Sequence, residues 1–125
     1  MESFFKQYTA AFDAFDAKAI ANLYRLPCAI ADADGVQSFT DRSALVSKFA
    51  ANCKSMQAMG YSGARFTVLN QQQLGPNEVA VNIGWRIELA DSQIDFRTLY
   101  ICHRINQCWY IFNTNVYPGS FSQTP

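Results

Sequence analysis

A single histidine, His103, stands in this chain of 125 residues, and the four cysteines, Cys28, Cys53, Cys102 and Cys108, form no CxxC pair and no ligand-set spacing. Structural and catalytic zinc centres need three or four such ligands gathered together, so no metal is expected and no cofactor is implied. The cysteines read instead as buried free thiols of a reducing compartment, with the cytoplasm as the expected location. Net charge is missing too: ten Lys and Arg balance ten Asp and Glu. That removes the basic footprint by which proteins hold phosphate backbones or anionic lipid, so no nucleic-acid partner is expected. No membrane is expected either, because no apolar run approaches the roughly 20 residues that span a bilayer. The opening MESFFKQYTAAFDAF is broken by Lys6 and Asp13 and lacks the apolar core of a signal peptide. Linkers, repeats and low-complexity tracts are absent as well. The expectation is one domain over residues 1–117 with a polar tail over residues 118–125.

What the chain has in quantity is apolar surface, half of all residues, enough for one core without staples. Phe4, Tyr8, Phe12 and Phe15 recur at helical spacing and place a wide aromatic stripe on a first helix from about Glu2 to Phe15. Asp16 can cap a second, short helix over Ala17 to Tyr24, which must stop near Leu26 because Pro27 disfavours helical geometry in the residue before it. Thr40 or Asp41 can cap a third, in which Leu45, Phe49, Cys53 and Met56 share a face and Gly60 supplies a C-terminal stop.

Between the second and third helices, CAIADADG and Gly35 to Phe39 read as two short strands. Beyond Gly60 the period changes from helical to two. Val79, Val81, Ile83, Trp85, Ile87 and Leu89 alternate with Ala80, Asn82, Gly84, Arg86, Glu88 and Ala90. Turn signals divide this half into strands of about Tyr61 to Leu74, Val79 to Leu89, Ile94 to Ile105 and Cys108 to Val116. Helices segregated from a long antiparallel meander make an α+β pattern, with three helices packed on one face of a strongly curved sheet.

Two runs carry a family resemblance that covers nearly the whole chain. FFKQYTAAFDAFDAKAIANLYRLPCAIADADG resembles the opening of a nuclear-transport-factor-2-like (cystatin-like) cone domain, and RTLYICHRINQCWYIFNTNVY resembles that superfamily's final hairpin. Among enzymes of this fold the chemistry is most similar to ketosteroid isomerase. The resemblance then implies Tyr8 as hydrogen-bond donor to the substrate oxygen and Asp32 as general base. It also exposes a departure, since Ile101 stands where that family carries a second, protonated acid. His103, two residues along from Ile101, and Asn113 are the polar groups that could replace it, and dehydratases and polyketide cyclases of similar fold use such residues. The expected ligand is a small, largely apolar carbonyl compound, with Phe12, Trp85 and Met56 lining the cavity and Arg97 at its mouth.

Each of these residues has a plain structural reading beside the functional one. Tyr8 sits in an aromatic stripe and fits a core position. Asp32 and Asp34 precede Gly35, where aspartates bond the local backbone of a turn. His103 fits a satisfied, partly buried histidine. The alternative is thus a non-catalytic ligand-binding or dimerisation module. Phe96, Tyr100, Tyr110 and Phe112 fall on the strand parity opposite the expected cavity, which predicts a homodimer through the outer sheet face.

Overall fold

The computed structural model describes residues 1–118, in the order α1 (Glu2–Asp13), α2 (Ala17–Ala21), β1 (Tyr24–Asp32), β2 (Gly35–Phe39), α3 (Arg42–Ala58), β3 (Gly63–Gly75), β4 (Glu78–Glu88), β5 (Gln93–Ile105) and β6 (Cys108–Pro118). The six strands form one open sheet in the order β2-β1-β6-β5-β4-β3, antiparallel except where β1 runs parallel to β6. The three helices pack on one face of this sheet, which bends round them to give the expected α+β cone. Asp16 caps α2 by accepting from the Ala19 N–H at 3.0 Å, and Asp41 caps α3 through the Ser43 N–H and hydroxyl. Gly60, at φ +79°, turns the chain out of α3 where a Cβ would lie 2.6 Å from that of Ala90, so both conformation and space require glycine.

The helix ends depart from expectation. The first helix stops at Asp13 rather than Phe15, which takes a left-handed conformation. The second stops at Ala21, and Tyr24 opens β1 instead of closing the helix. Arg42 lies at this junction, where its guanidinium donates to the carbonyls of both Ala21 and Tyr24, groups that a helix ending at Tyr24 would also have left without an internal partner. Pro27 sits within β1, where pairing to β6 shifts register between Tyr24 and Ala29, because proline has no N–H for the ladder. Pro118, expected in the tail, ends β6 opposite Phe96, and the remainder of that tail lies outside the described residues.

The largest correction concerns which side of β5 and β6 faces the helices. Thr98, Tyr100 and Cys102 are buried inward, with Phe96 on the same side, whereas Arg97, Leu99, Ile101 and His103 face out. In β6 an extra residue at Phe112 shifts the register, so that Ile111 and Thr114 point in while Asn113 and Asn115 point out. Phe96 and Tyr100 are therefore removed from the outer-face group expected to dimerise; Tyr110 and Phe112 remain on it. The thiols also divide. Cys28, Cys53 and Cys102 are buried, and Cys108 in the β6 opening is exposed.

Candidate functional site

The aromatic stripe of α1, the inner face of the sheet and the inner face of α3 enclose a cavity of about 120 Å³. A cavity of about 150 Å³ in an apolar core admits one benzene ring, so this somewhat smaller, partly open space has room for one ring at most, with any substituent lying towards the opening. Phe12, Phe49, Met56, Trp85, Ile87 and Phe96 supply its apolar wall. Its polar groups are the hydroxyls of Tyr8, Tyr24, Tyr61, Thr98, Tyr100 and Thr114, together with Asn52 and one ion pair, Asp32 and Lys48.

Asp32 lies at the end of β1, where the strand turns over Ala33 and Asp34 to Gly35. One carboxylate oxygen accepts from the Asp34 N–H at 2.9 Å, the expected turn bond. The other accepts from Lys48 Nζ at 2.9 Å, and the two side chains are only 20 % and 9 % exposed. The aspartate thus serves the turn and lines the cavity at once. Lys48, one helical turn after Leu45 on α3, sets its ion pair with Asp32 beside an apolar space.

At the sheet side the hydroxyls form two systems. Tyr8 and Tyr24 share a hydrogen bond at 3.1 Å, and Tyr24 shares another with Thr114 at 2.8 Å. Separately, Trp85 Nε1 donates to the Tyr100 hydroxyl at 3.0 Å. Burial drives the phenols of Tyr8, Tyr24 and Tyr100 well above the usual tyrosine range, so all three are neutral hydrogen-bond donors. At the helix end of the cavity Tyr61 donates to Asp13 at 2.6 Å, and burial followed by that carboxylate raises its phenol as well.

The cavity brings together Asp32, Tyr8, Phe12, Met56 and Trp85 of the expected site, and it leaves His103, Asn113, Ile101 and Arg97 outside. His103 belongs to an outer-face cluster: it stacks on Phe112 at 4.6 Å between centroids, meets Glu78 at 3.0 Å through Nε2, and meets Arg25 at 3.2 Å through Nδ1. Since arginine only donates, Nδ1 accepts and Nε2 carries the proton given to Glu78. Asn113 donates to the Ala29 carbonyl and accepts from Asn115. Arg97 lies over the Tyr117 ring, and its neighbour Asp95 pairs with Arg86. Ile101 faces out, so the cavity-facing side chain beside the position of the family's second acid is Tyr100.

Sequence reasoning missed Lys48, Tyr24, Thr98 and Tyr100 as cavity groups. The only available signal was the spacing of Lys48 from Leu45, which puts it on the edge of the apolar face of α3. Among the described residues no group of three or more His, Cys, Asp or Glu side chains is placed to hold a metal, and no helix is long and apolar enough to cross a membrane.

Comparison with known proteins agrees with this architecture. The profile of a family described as "NTF2-like protein (DUF6841)" matches residues 1–119. No curated protein matches the chain. Among solved structures, an NTF2-like protein of unknown function from Shewanella oneidensis superposes with a TM-score of 0.76 at 14% identity, over 92% of this chain and 93% of that one. A ketosteroid isomerase-like protein from Erwinia carotovora gives 0.74 at 11% identity, over 95% and 93%. A candidate scytalone dehydratase from Novosphingobium aromaticivorans gives 0.69 at 10% identity, over 99% and 92%. At these identities the likeness is one of fold.

Proposed function

Because the chain belongs to the NTF2-like family DUF6841, we propose that it is a small-molecule-binding cone domain for a single-ring carbonyl compound, on which Asp32 acts as general base. The observation that carries this reading is the placement of one lysine-paired carboxylate and several neutral hydroxyl donors on the wall of an otherwise apolar cavity. Abstracting a proton beside a carbonyl moves negative charge onto the oxygen. A site for that chemistry needs a base at the carbon and donors at the oxygen, and Asp32 with Tyr8 supplies both types. Isomerisation, dehydration and cyclisation share this first step, and the ketosteroid isomerase-like and dehydratase-type neighbours have the same fold. The cavity volume favours one ring over a steroid.

Proton exchange tests the reading without knowledge of the natural substrate. Acetophenone in heavy water should exchange its methyl protons faster with the protein present, as Asp32 takes a proton from carbon and solvent deuterium returns. Asp32→Asn should lower that exchange by about 100-fold or more while acetophenone still binds. The second reading, a binding module without chemistry, draws on the engagement of both Asp32 oxygens by Asp34 and Lys48. Binding without exchange in the wild type would select it.

The same proposal includes a cytoplasmic location and a symmetric dimer. Leu99 and Ile101 of β5, opposite Asn115 and Asn113, share the half-buried outer face with Tyr110 and Phe112 further along β6, while the helices cover only the inner one. Sedimentation equilibrium at micromolar concentration should give twice the chain mass of 14.0 kDa, and a monomer there would sink the dimer.

A further inference from the structure

Thr98 stands out among the cavity hydroxyls because it is paired with nothing. The residue is 1% exposed, and its Oγ1 has no hydrogen-bond partner among the described protein groups. A buried hydroxyl without a partner is disfavoured, and native structures retain few of them. Its place in the sheet aims it at the cavity: it lies on β5 between Phe96 and Tyr100, opposite Ile83 on one side and Val116 on the other.

Proton counting around it points the same way. Indole N–H only donates, so the Tyr100 oxygen accepts from Trp85, and the Tyr100 proton is left to turn towards the neighbouring Thr98 or Tyr8 oxygen or into the cavity. The Tyr8, Tyr24 and Thr114 chain holds three hydroxyl protons and two hydrogen bonds, leaving one proton over. Thr98 and Tyr100 lie near enough for the threonine hydroxyl to favour the phenolate form of Tyr100, yet the two do not meet in hydrogen-bond geometry. The Tyr8 and Tyr100 hydroxyls also lie near one another, so the donor that meets no oxygen in hydrogen-bond geometry in this part of the cavity is that of Thr98. Both Asp32 oxygens are already occupied.

We propose that Thr98 and Tyr100 together form a subsite for an acceptor oxygen of the ligand, and that Thr98 determines the preference for a carbonyl over a hydrocarbon of the same shape. This rests on the cavity reading above and adds to it the atom that recognises the ligand. The ligand class is a single-ring compound with an oxygen that accepts without needing to donate, as in a ketone or aldehyde. A site with unmet buried donors discriminates strongly against a ligand that cannot pair with them.

The probes are acetophenone and α-methylstyrene, which carries a methylene where the ketone has oxygen, titrated against the full chain by protein-observed NMR. In the wild type the ratio of the two affinities is recorded, and Thr98→Val should shift it towards the hydrocarbon by about tenfold, the value of one neutral hydrogen bond. Thr98→Ser, which restores the hydroxyl, should restore the ratio. Retained α-methylstyrene binding by Thr98→Val shows that its cavity is intact. A ratio unchanged by Thr98→Val overturns the inference and leaves the cavity reading standing. Failure of both probes to bind the wild type overturns the cavity reading, and the inference with it.

Discussion

Raising the pH above about 10 is expected to unfold the protein in one cooperative step, near pH 11 to 12. Tyr8, Tyr24 and Tyr100 are buried inside the cone, and burial raises each phenol above its ordinary value of 10.0. A raised folded value means that the stability these groups contribute is fully present below pH 10. It is lost as the pH climbs towards the folded values, because the unfolded chain releases protons that the folded one retains. Each group costs about 1.4 kcal/mol per pH unit in that window, so the three together cost about 4 kcal/mol per unit. Cys102, pushed up to about 12 from 9.0 by burial, adds a further loss that starts one unit earlier. Against a typical stability of about 5–15 kcal/mol this is sufficient to unfold a domain.

Tyrosinate absorbance and far-ultraviolet circular dichroism, followed on the same samples, check this expectation. The buried phenols should ionise together with loss of helix and sheet signal. Gradual ionisation of all tyrosines with the dichroism intact would mean that the hydroxyl systems are open to solvent. Tyr100→Phe refines the test, since removing one retained proton should flatten the dependence of stability on pH by about 1.4 kcal/mol per unit.

How far the sequence disclosed this arrangement depended on how unequal the two faces of each element were. In β4, apolar Val79, Val81, Ile83, Trp85 and Ile87 alternate with polar or small residues, so the period alone assigned the buried face correctly. In β5 both parities are apolar, Phe96 and Tyr100 against Leu99 and Ile101, and the pattern holds no information about which faces the helices. The extra residue at Phe112 compounds this by turning Asn113 away from the face that Ile111 occupies. Four of the expected site residues were displaced for this reason. Asp32 and Tyr8 both line the cavity, in the stretch where the family resemblance runs without a gap. Lys48 pairs with Asp32 across 16 residues, and no local pattern specifies such a contact. Tyr24 was assigned to a helix because the sequence shows where Pro27 forbids helix but not the contacts from Arg42, on α3, that hold the Ala21 and Tyr24 carbonyls where the strand begins.

Phe5→Ala is expected to cost about 4 kcal/mol, the largest effect of any single substitution considered for this chain. Phe5 is 0% exposed, and its ring meets those of Phe4, Tyr8, Phe66 and Tyr100 at centroid distances of 5.1, 6.0, 6.2 and 4.8 Å. It therefore joins α1 to β3 and β5 and packs against Tyr8 and Tyr100, whose rings meet each other at 5.9 Å beside the cavity. Deleting the ring removes its transfer free energy and leaves a void whose neighbours are other rings, poorly able to collapse into it. For a domain of this size the loss corresponds to a melting temperature lower by roughly 15 °C. Phe5→Leu keeps much of the buried volume and should lose less than half as much. A Phe5→Ala cost below about 1 kcal/mol would show that α1 is not fastened to the sheet through this residue. Thr98→Val should act in the opposite sense, raising the melting temperature by a few degrees, because it removes a hydroxyl whose burial is uncompensated in the free protein. The two substitutions separate a ring that holds the cone together from a hydroxyl that is buried within it without a partner.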